Sequence, residues 1–282
     1  MGTDFKPVFS LPPQACDSHC HVFGPFDRFP MTDARKYTPE ECPEARLRNL
    51  HDSLGVQRAV IVQASIHGAD NRATMAAMAV DPDRYRAVVM IDDDTPDSEI
   101  RDMVDNGGVW GIRFNFNVNL GGLPDLGVVN RAVERIRDLG WHLVMQTDRV
   151  AIAAIDDFVR ALPIPFVVDH MGRCDADAGI GQPEFLTLLD WMKLDGAWVK
   201  LTCPERMAPW PYTVTHGFAR ALLEARPDRV LWGTDFPHPR IEHLNLNDAD
   251  FVDIVWKYTV SDEERHRLFV ENPARLYRYP LG

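Results

Sequence analysis

Three short segments carry histidine or aspartate at the point where an apolar run ends. His19 and His21 stand two residues apart after Asp17, His170 follows FVVD, and Asp235 follows VLWGT. On a strand, residues i and i+2 point to the same side, so His19 and His21 can act on one ion or one substrate. Three imidazoles and a carboxylate can hold a divalent ion that activates water, or they can polarise a carbonyl without a metal. We predict that these four residues form the catalytic set.

The elements that position them follow a regular alternation. Stretches of helical period, at 71–79, 126–139, 151–162 and 213–225, lie between short β-rich runs, which is typical of βα units and a parallel sheet. Eight such runs occur, and they are ACDSHCHV, AVIVQAS, YRAVVMI, VWGIRFNF, WHLVMQT, PFVVDH, AWVKLTC and RVLWGTD. We predict a distorted (β/α)8 TIM barrel formed as one domain over residues 1–282. The C-terminal strand ends build the active site of such a barrel.

The composition of the chain limits the classes of partner that the protein can bind. The formal net charge of −12 would repel phosphate backbones and anionic membranes, so we expect neither nucleic acid nor membrane as a partner. No apolar run reaches the roughly 20 residues that a membrane span needs, and no signal peptide is apparent, so we expect a cytoplasmic protein. The 5 cysteines lack CxxC spacing, which is typical of reduced thiols. A monomer and a small homo-oligomer both fit.

The motifs as a group resemble a known family. The HxH pair, VVDHMGR and WGTDFPH are similar to the amidohydrolase-2 family, and VQASIHGADNRA, GIRFNFN, TCPER and ENPARLY resemble its 2-pyrone-4,6-dicarboxylate lactonase branch. The similarity runs in order from about residue 15 to 277. It implies hydrolysis of a lactone, with Asp235 as the general base on the attacking water. It also implies that His19, His21 and His170 bind and polarise the lactone carbonyl without a metal.

The same resemblance implies contacts to an anionic substrate. Arg113 and Arg206 match arginines that bind substrate carboxylates, a task that suits the two parallel donors of a guanidinium. Three further positions match polar contacts, and they are Ser65, His67 and Tyr37. Of these three, we expect His67 above all to contact the substrate.

Three positions depart from the family pattern. Asn119 stands where the family has a further substrate arginine, and Gln146 stands where it has a tyrosine at the end of strand five. Arg240 stands where an asparagine is usual. One cation is lost and another gained, which predicts an acidic substrate whose anionic groups are repositioned. We therefore expect an anionic unsaturated lactone of aromatic-compound catabolism, either pyrone-dicarboxylate or muconolactone-like, including sulfomuconolactone.

Several alternatives remain open from the sequence. The cofactor is either none or one divalent ion, with zinc favoured, held by His19, His21, His170 and Asp235. A binuclear site is not expected, because strand five ends near Gln146 rather than in a histidine. The other candidate functions are a mononuclear zinc decarboxylase or hydratase of an aromatic or enol acid, a sugar-acid lactonase, and a binding module for small acids.

Overall fold

The structure, a computed structural model, describes residues 6–281 apart from the side chain of Asn119. Eight parallel strands pair in chain order, which confirms the predicted barrel. The strands are Cys16–Cys20 (β1), Arg58–Val62 (β2), Tyr85–Val89 (β3), Val109–Asn115 (β4), His142–Gln146 (β5), Phe166–Val168 (β6), Ala197–Leu201 (β7) and Val230–Trp232 (β8). The ends of β8 and β1 are joined by backbone hydrogen bonds. Asp235 N–H donates to the carbonyl of His19, and His21 N–H donates to that of Phe236, each at 2.8 Å.

Helices follow the strands and cover the outside of the barrel. They are Glu44–Leu54 (α1), Arg72–Met78 (α2), Asp97–Asp105 (α3), Leu126–Ile136 (α4), Arg149–Ala154 (α5), Asp156–Arg160 (α6), Pro183–Trp191 (α7), Thr215–Ala225 (α8), Asp248–Asp253 (α9), Val255–Tyr258 (α10), Asp262–His266 (α11) and Asn272–Tyr277 (α12). The prediction of one helix over 151–162 is wrong, because the chain breaks at Ile155. There φ is −116° and ψ is 17°, and the side chain is 1% exposed. The break turns this apolar side chain into the core.

Alternate strand residues form two apolar layers, as a parallel sheet covered on both faces requires. One layer packs between strands and helices, and the other fills the barrel interior with side chains such as Val60, Val144, Trp198 and Leu231. Tyr279 closes the lower end, since its hydroxyl donates to the carbonyls of Ala59 at 2.8 Å and Arg84 at 2.9 Å. The open end lies at the C-terminal strand ends. Within residues 6–281, no helix is both long and apolar enough to cross a lipid bilayer.

Candidate active site

The base of the site is the seam between β1 and β8, and Asp17 ties it together. Its carboxylate accepts hydrogen bonds from the backbone N–H groups of His19 (3.0 Å) and Thr234 (3.1 Å), from the Thr234 hydroxyl (2.6 Å) and from His51 Nε2 (3.1 Å). Gly233 allows this close approach, because a Cβ there would lie 2.6 Å from the backbone nitrogen of His19. The seam therefore sets the positions of both His19 and the residues that follow β8.

Asp235 lies at the centre of the predicted set. Its φ of 66° is in the left-handed region, which a non-glycine residue adopts only when its surroundings enforce it. Oδ1 is 3.3 Å from His21 Nε2 and 3.4 Å from His19 Nε2, and Oδ2 is 3.2 Å from a terminal nitrogen of Arg206. The structure thus brings together one carboxylate, two imidazoles and a guanidinium.

The pKa of Asp235 reflects two opposed effects. Burial raises it, but the hydrogen bond with His21 and the positive charge of Arg206, together with smaller contributions from His170 and His19, hold it well below the usual value for a carboxyl. The group is therefore ionised near neutral pH and is available to accept a proton.

The histidines are oriented by fixed partners. His21 Nδ1 lies 2.8 Å from the Val62 carbonyl and donates to it, which leaves Nε2 to face the site. His170, with φ of 59°, places Nδ1 2.6 Å from the Thr202 hydroxyl. Burial lowers the pKa of His170 well below its usual value, so its ring is a neutral imidazole near pH 7. Neutral imidazole can donate one hydrogen bond to a substrate oxygen.

A buried charged layer lies behind these rings, and the sequence analysis missed its lysine. Lys200 Nζ is 3.0 Å from His19 Nδ1 and 3.1 Å from Asp169 Oδ1, while the other Asp169 oxygen is 3.3 Å from Arg113 Nε. Burial lowers the pKa of Lys200 and Asp169 opposes that effect. Burial likewise lowers the pKa of His19 to about 4. The sequence did contain a signal for this lysine. It stands two residues after Trp198 in the apolar run AWVKLTC, and this spacing places both side chains on the inward face of β7.

A small cavity opens above this layer. Its walls are strongly cationic, since the described residues that line it include four arginines and one carboxylate. Its lining residues are His21, Tyr37, Ser65, Arg113, Leu120, Gln146, His170, Arg173, Arg206, Asp235, Pro239 and Arg240. Arg173 is a further residue that the sequence analysis did not place in the site. An anionic ligand fits this charge balance in a chain whose overall charge is −12.

Two described residues of the predicted set do not line the cavity. His19 lies beneath it and is fully buried. His67 supports the loop after β1, where its Nδ1 is 3.1 Å from the Pro30 carbonyl and its Nε2 is 3.5 Å from Gly24 N. A substrate contact of His67 therefore stays a prediction. The side chain of Asn119 lies outside the described residues.

The predicted mononuclear metal site can be tested on the donor atoms. One ligand atom each of His19, His170 and Asp235 lies within 4.8 Å of the others, and Nε2 of His19 is buried without a hydrogen-bond partner. However, Lys200 contacts His19 at 3.0 Å and Arg206 contacts Asp235 at 3.2 Å. Two cations directly beside two of three ligands do not fit a divalent ion.

Comparison with known proteins agrees with the geometry. The amidohydrolase family model matches residues 16–279. The chain is 40% identical to 2-pyrone-4,6-dicarboxylate hydrolase of Comamonas testosteroni over 96% of this chain and 92% of that protein. It is 36% identical to 4-sulfomuconolactone hydrolase of Hydrogenophaga intermedia, over 95% and 90% respectively.

A solved structure supports the same assignment. The crystal structure of a 2-pyrone-4,6-dicarboxylic acid hydrolase homologue from Pseudomonas putida superposes with a TM-score of 0.82 at 30% identity, covering 96% of this chain and all of the other. The family predicted from the sequence motifs is confirmed. The chain belongs to the amidohydrolase family and is a hydrolase.

Proposed function

We propose that the protein opens an anionic, unsaturated lactone of aromatic-compound catabolism by hydrolysis, with Asp235 as the general base. The observation that carries this proposal is the cavity itself, in which one ionised carboxylate lies among imidazoles and four arginines. The names of the two curated relatives, a pyrone-dicarboxylate hydrolase and a sulfomuconolactone hydrolase, support a lactone that bears carboxylate or sulfonate groups. A cytoplasmic location is part of the same proposal.

The four arginines of the cavity differ in position and in how firmly they are held before substrate binds. Arg113 is held from behind by Asp169, so its guanidinium is fixed in orientation before substrate binds. Arg240 is exposed, and Arg173 and Arg206 are partly buried in the cavity wall. Guanidinium groups bind carboxylate and sulfonate oxygens through charge-assisted hydrogen bonds, each contributing about 1.5–3 kcal/mol. A lactone with two anionic groups can therefore be held at both ends with its ring over Asp235.

The reaction follows from the placement of donors and base. Asp235 takes a proton from water as the water oxygen attacks the carbonyl carbon, and the carbonyl oxygen gains negative charge. The imidazole of His170 donates to that oxygen, and His21 holds the protonated carboxyl in place. The ring C–O bond then breaks, and Asp235 returns its proton to the leaving oxygen. The new carboxylic acid ionises to release one proton.

Lactone hydrolysis and the alternative reaction, zinc-dependent decarboxylation, place different demands on the site. Loss of carbon dioxide needs a site that stabilises a carbanion, whereas in this proposal Asp235, 3.3–3.4 Å from two imidazoles, activates water and the imidazoles stabilise an oxyanion. A sugar-acid lactone would undergo the same bond cleavage. It differs only in the saturated, hydroxylated ring that the cavity would have to hold.

A panel of lactones tests the proposal. We would measure kcat/KM for a pyrone dicarboxylate, a sulfonated muconolactone, an aldonic acid lactone and an uncharged lactone of similar size. We expect the unsaturated lactones with two anionic groups to exceed the uncharged one by roughly 10²-fold or more, from at least two charge-assisted contacts. Equal rates for charged and uncharged lactones would contradict the role of the arginines. Carbon dioxide release from any enol acid, without ring opening of the lactones, would support the decarboxylase instead.

A further inference from the structure

Lys200 is a charged residue at the centre of the molecule that the proposed reaction does not use. It lies on β7, two residues after Trp198, on the strand face that fills the barrel interior. Its side chain is fully buried, and its ammonium nitrogen is in contact with His19 Nδ1 at 3.0 Å and Asp169 Oδ1 at 3.1 Å. A lysine is placed in such an interior only when these partners compensate for the lost hydration.

The contact with His19 determines where the proton of that ring lies. A lysine ammonium has three donors and no acceptor, so the nitrogen that faces it at hydrogen-bond distance must accept. A neutral imidazole carries its proton on one nitrogen only. His19 Nδ1 accepts from Lys200, and the proton is therefore on Nε2. Nε2 lies 3.4 Å from Asp235 Oδ1 and makes no hydrogen bond to a described residue.

We propose that Lys200 is a positioning residue that fixes the His19 proton on Nε2 and thereby prevents His19 from binding a metal ion. A metal ligand must offer a lone pair, which the protonated Nε2 lacks. To bind an ion through Nε2, the ring would have to move its proton to Nδ1, where it would face the ammonium of Lys200. The inference does not depend on which lactone is opened.

Asp169 explains why a single lysine has this effect. Metal-binding histidines usually donate their second ring N–H to a carboxylate or a carbonyl. Asp169 Oδ1 is only 3.3 Å from His19 Nδ1 and would fill that role if the ammonium of Lys200 did not donate to Nδ1. The same carboxylate is held by Arg113 on its other oxygen, so it remains in place when Lys200 is changed. Removing the lysine therefore converts the donor form of His19 into the form that ligates metal.

The first test reads the proton position directly in the unaltered protein. Nitrogen NMR of protein labelled with ¹⁵N-histidine distinguishes a protonated from an unprotonated ring nitrogen, and a His19→Gln variant assigns the signal. We expect Nδ1 of His19 to be unprotonated and Nε2 to be protonated near neutral pH. A proton on Nδ1 would mean that His19 donates to Asp169 or to an uncharged Lys200, and the inference would be wrong.

The second test uses zinc and a pair of lysine variants. Lys200→Met removes the ammonium, while Lys193→Met removes a lysine whose side chain is 77% exposed at the end of α7. We expect metal-free Lys200→Met to bind zinc at least tenfold more tightly than the parent and Lys193→Met, with the His19 proton moved to Nδ1. Adding His170→Gln to Lys200→Met should abolish the gain, which assigns it to this cluster. Equal zinc binding by parent and Lys200→Met at this cluster would overturn the inference, and the NMR result on the parent decides it if Lys200→Met does not fold.

Discussion

Gly233 lets β8 approach β1 closely enough to align Asp235 with His19, and a single added methyl group tests this alignment. A Cβ at Gly233 would lie 2.6 Å from the His19 backbone nitrogen, 2.9 Å from Asp17 Oδ1 and 2.9 Å from His19 Cβ, where ordinary contact begins at 3.4 Å. The two strand ends would have to separate by several tenths of an ångström. Two of the three contacts are with backbone and Cβ atoms, which cannot move aside by changing a rotamer.

The magnitude follows from these contacts. Overpacking of this kind costs about 1–3 kcal/mol, and weakening one hydrogen bond to Asp17 adds about 1 kcal/mol. For a chain of this size we expect Gly233→Ala to lower the melting temperature by roughly 5–10 °C. A displacement approaching 1 Å at the proposed catalytic residues reduces the rate by roughly 10²-fold. We therefore expect kcat to fall by up to that factor even at temperatures where the variant is fully folded.

Gly217 provides the matched control. It lies inside α8, where an added Cβ would meet only Ile180 Cγ2 at 3.6 Å. Alanine is the better helix former, so Gly217→Ala should raise stability by about 0.5–1 kcal/mol and leave kcat unchanged. Thermal unfolding and steady-state lactone hydrolysis on both variants make the comparison. Parent-like melting and kcat in Gly233→Ala would refute the argument that the seam between β1 and β8 aligns the site.

Three further predictions concern charge. Arg206→Gln removes a cation that lowers the pKa of Asp235, so the acid limb of kcat/KM should move to higher pH, and an unmoved limb would contradict the ion pair. Arg240→Gln should raise KM by roughly tenfold or more for a lactone with two anionic groups. Arg149→Gln, on the surface, is the control and should leave KM unchanged. Equal KM values for the two variants would show that Arg240 does not bind the substrate. Burial lowers the pKa of His238, but the carboxylate that begins α9 outweighs it and raises the pKa to about 9. The stability from this pair is therefore present in full below about pH 6.5 and lost as pH rises through 9, so chemical denaturation should show a decline that His238→Gln lacks.

The barrel could be predicted because its signals are local and repeated. Each strand run is apolar on both faces and ends in polar residues, and the HxH spacing fixes which way two imidazoles point. The break at Ile155 could not be predicted, because both halves have helical periodicity. It depends on tertiary packing of one apolar side chain.

The deeper part of the site depends on distances between strands that sequence does not show. Lys200 lies on β7 and Asp169 directly follows β6, yet their pairing with His19 requires the barrel to be closed. Pattern reasoning also treated His67 as a substrate contact because it follows a strand. In the structure its ring nitrogens face the loop after β1. For Lys200 a signal was present, because residues i and i+2 of a strand share a face, so Lys200 must face the barrel interior as Trp198 does.

The measurement that tests the central claim most directly is substrate binding and hydrolysis by Asp235→Asn. Replacing the base should reduce kcat by roughly 10²–10⁴-fold. The dissociation constant for the anionic lactone should stay within a few-fold of the parent or tighten, because a negative charge beside the substrate is removed. Asp262→Asn, whose side chain is 97% exposed, is the matched control and should behave as the parent. Hydrolysis that persists in Asp235→Asn, or binding that is lost along with it, would contradict the assignment of Asp235 as the base.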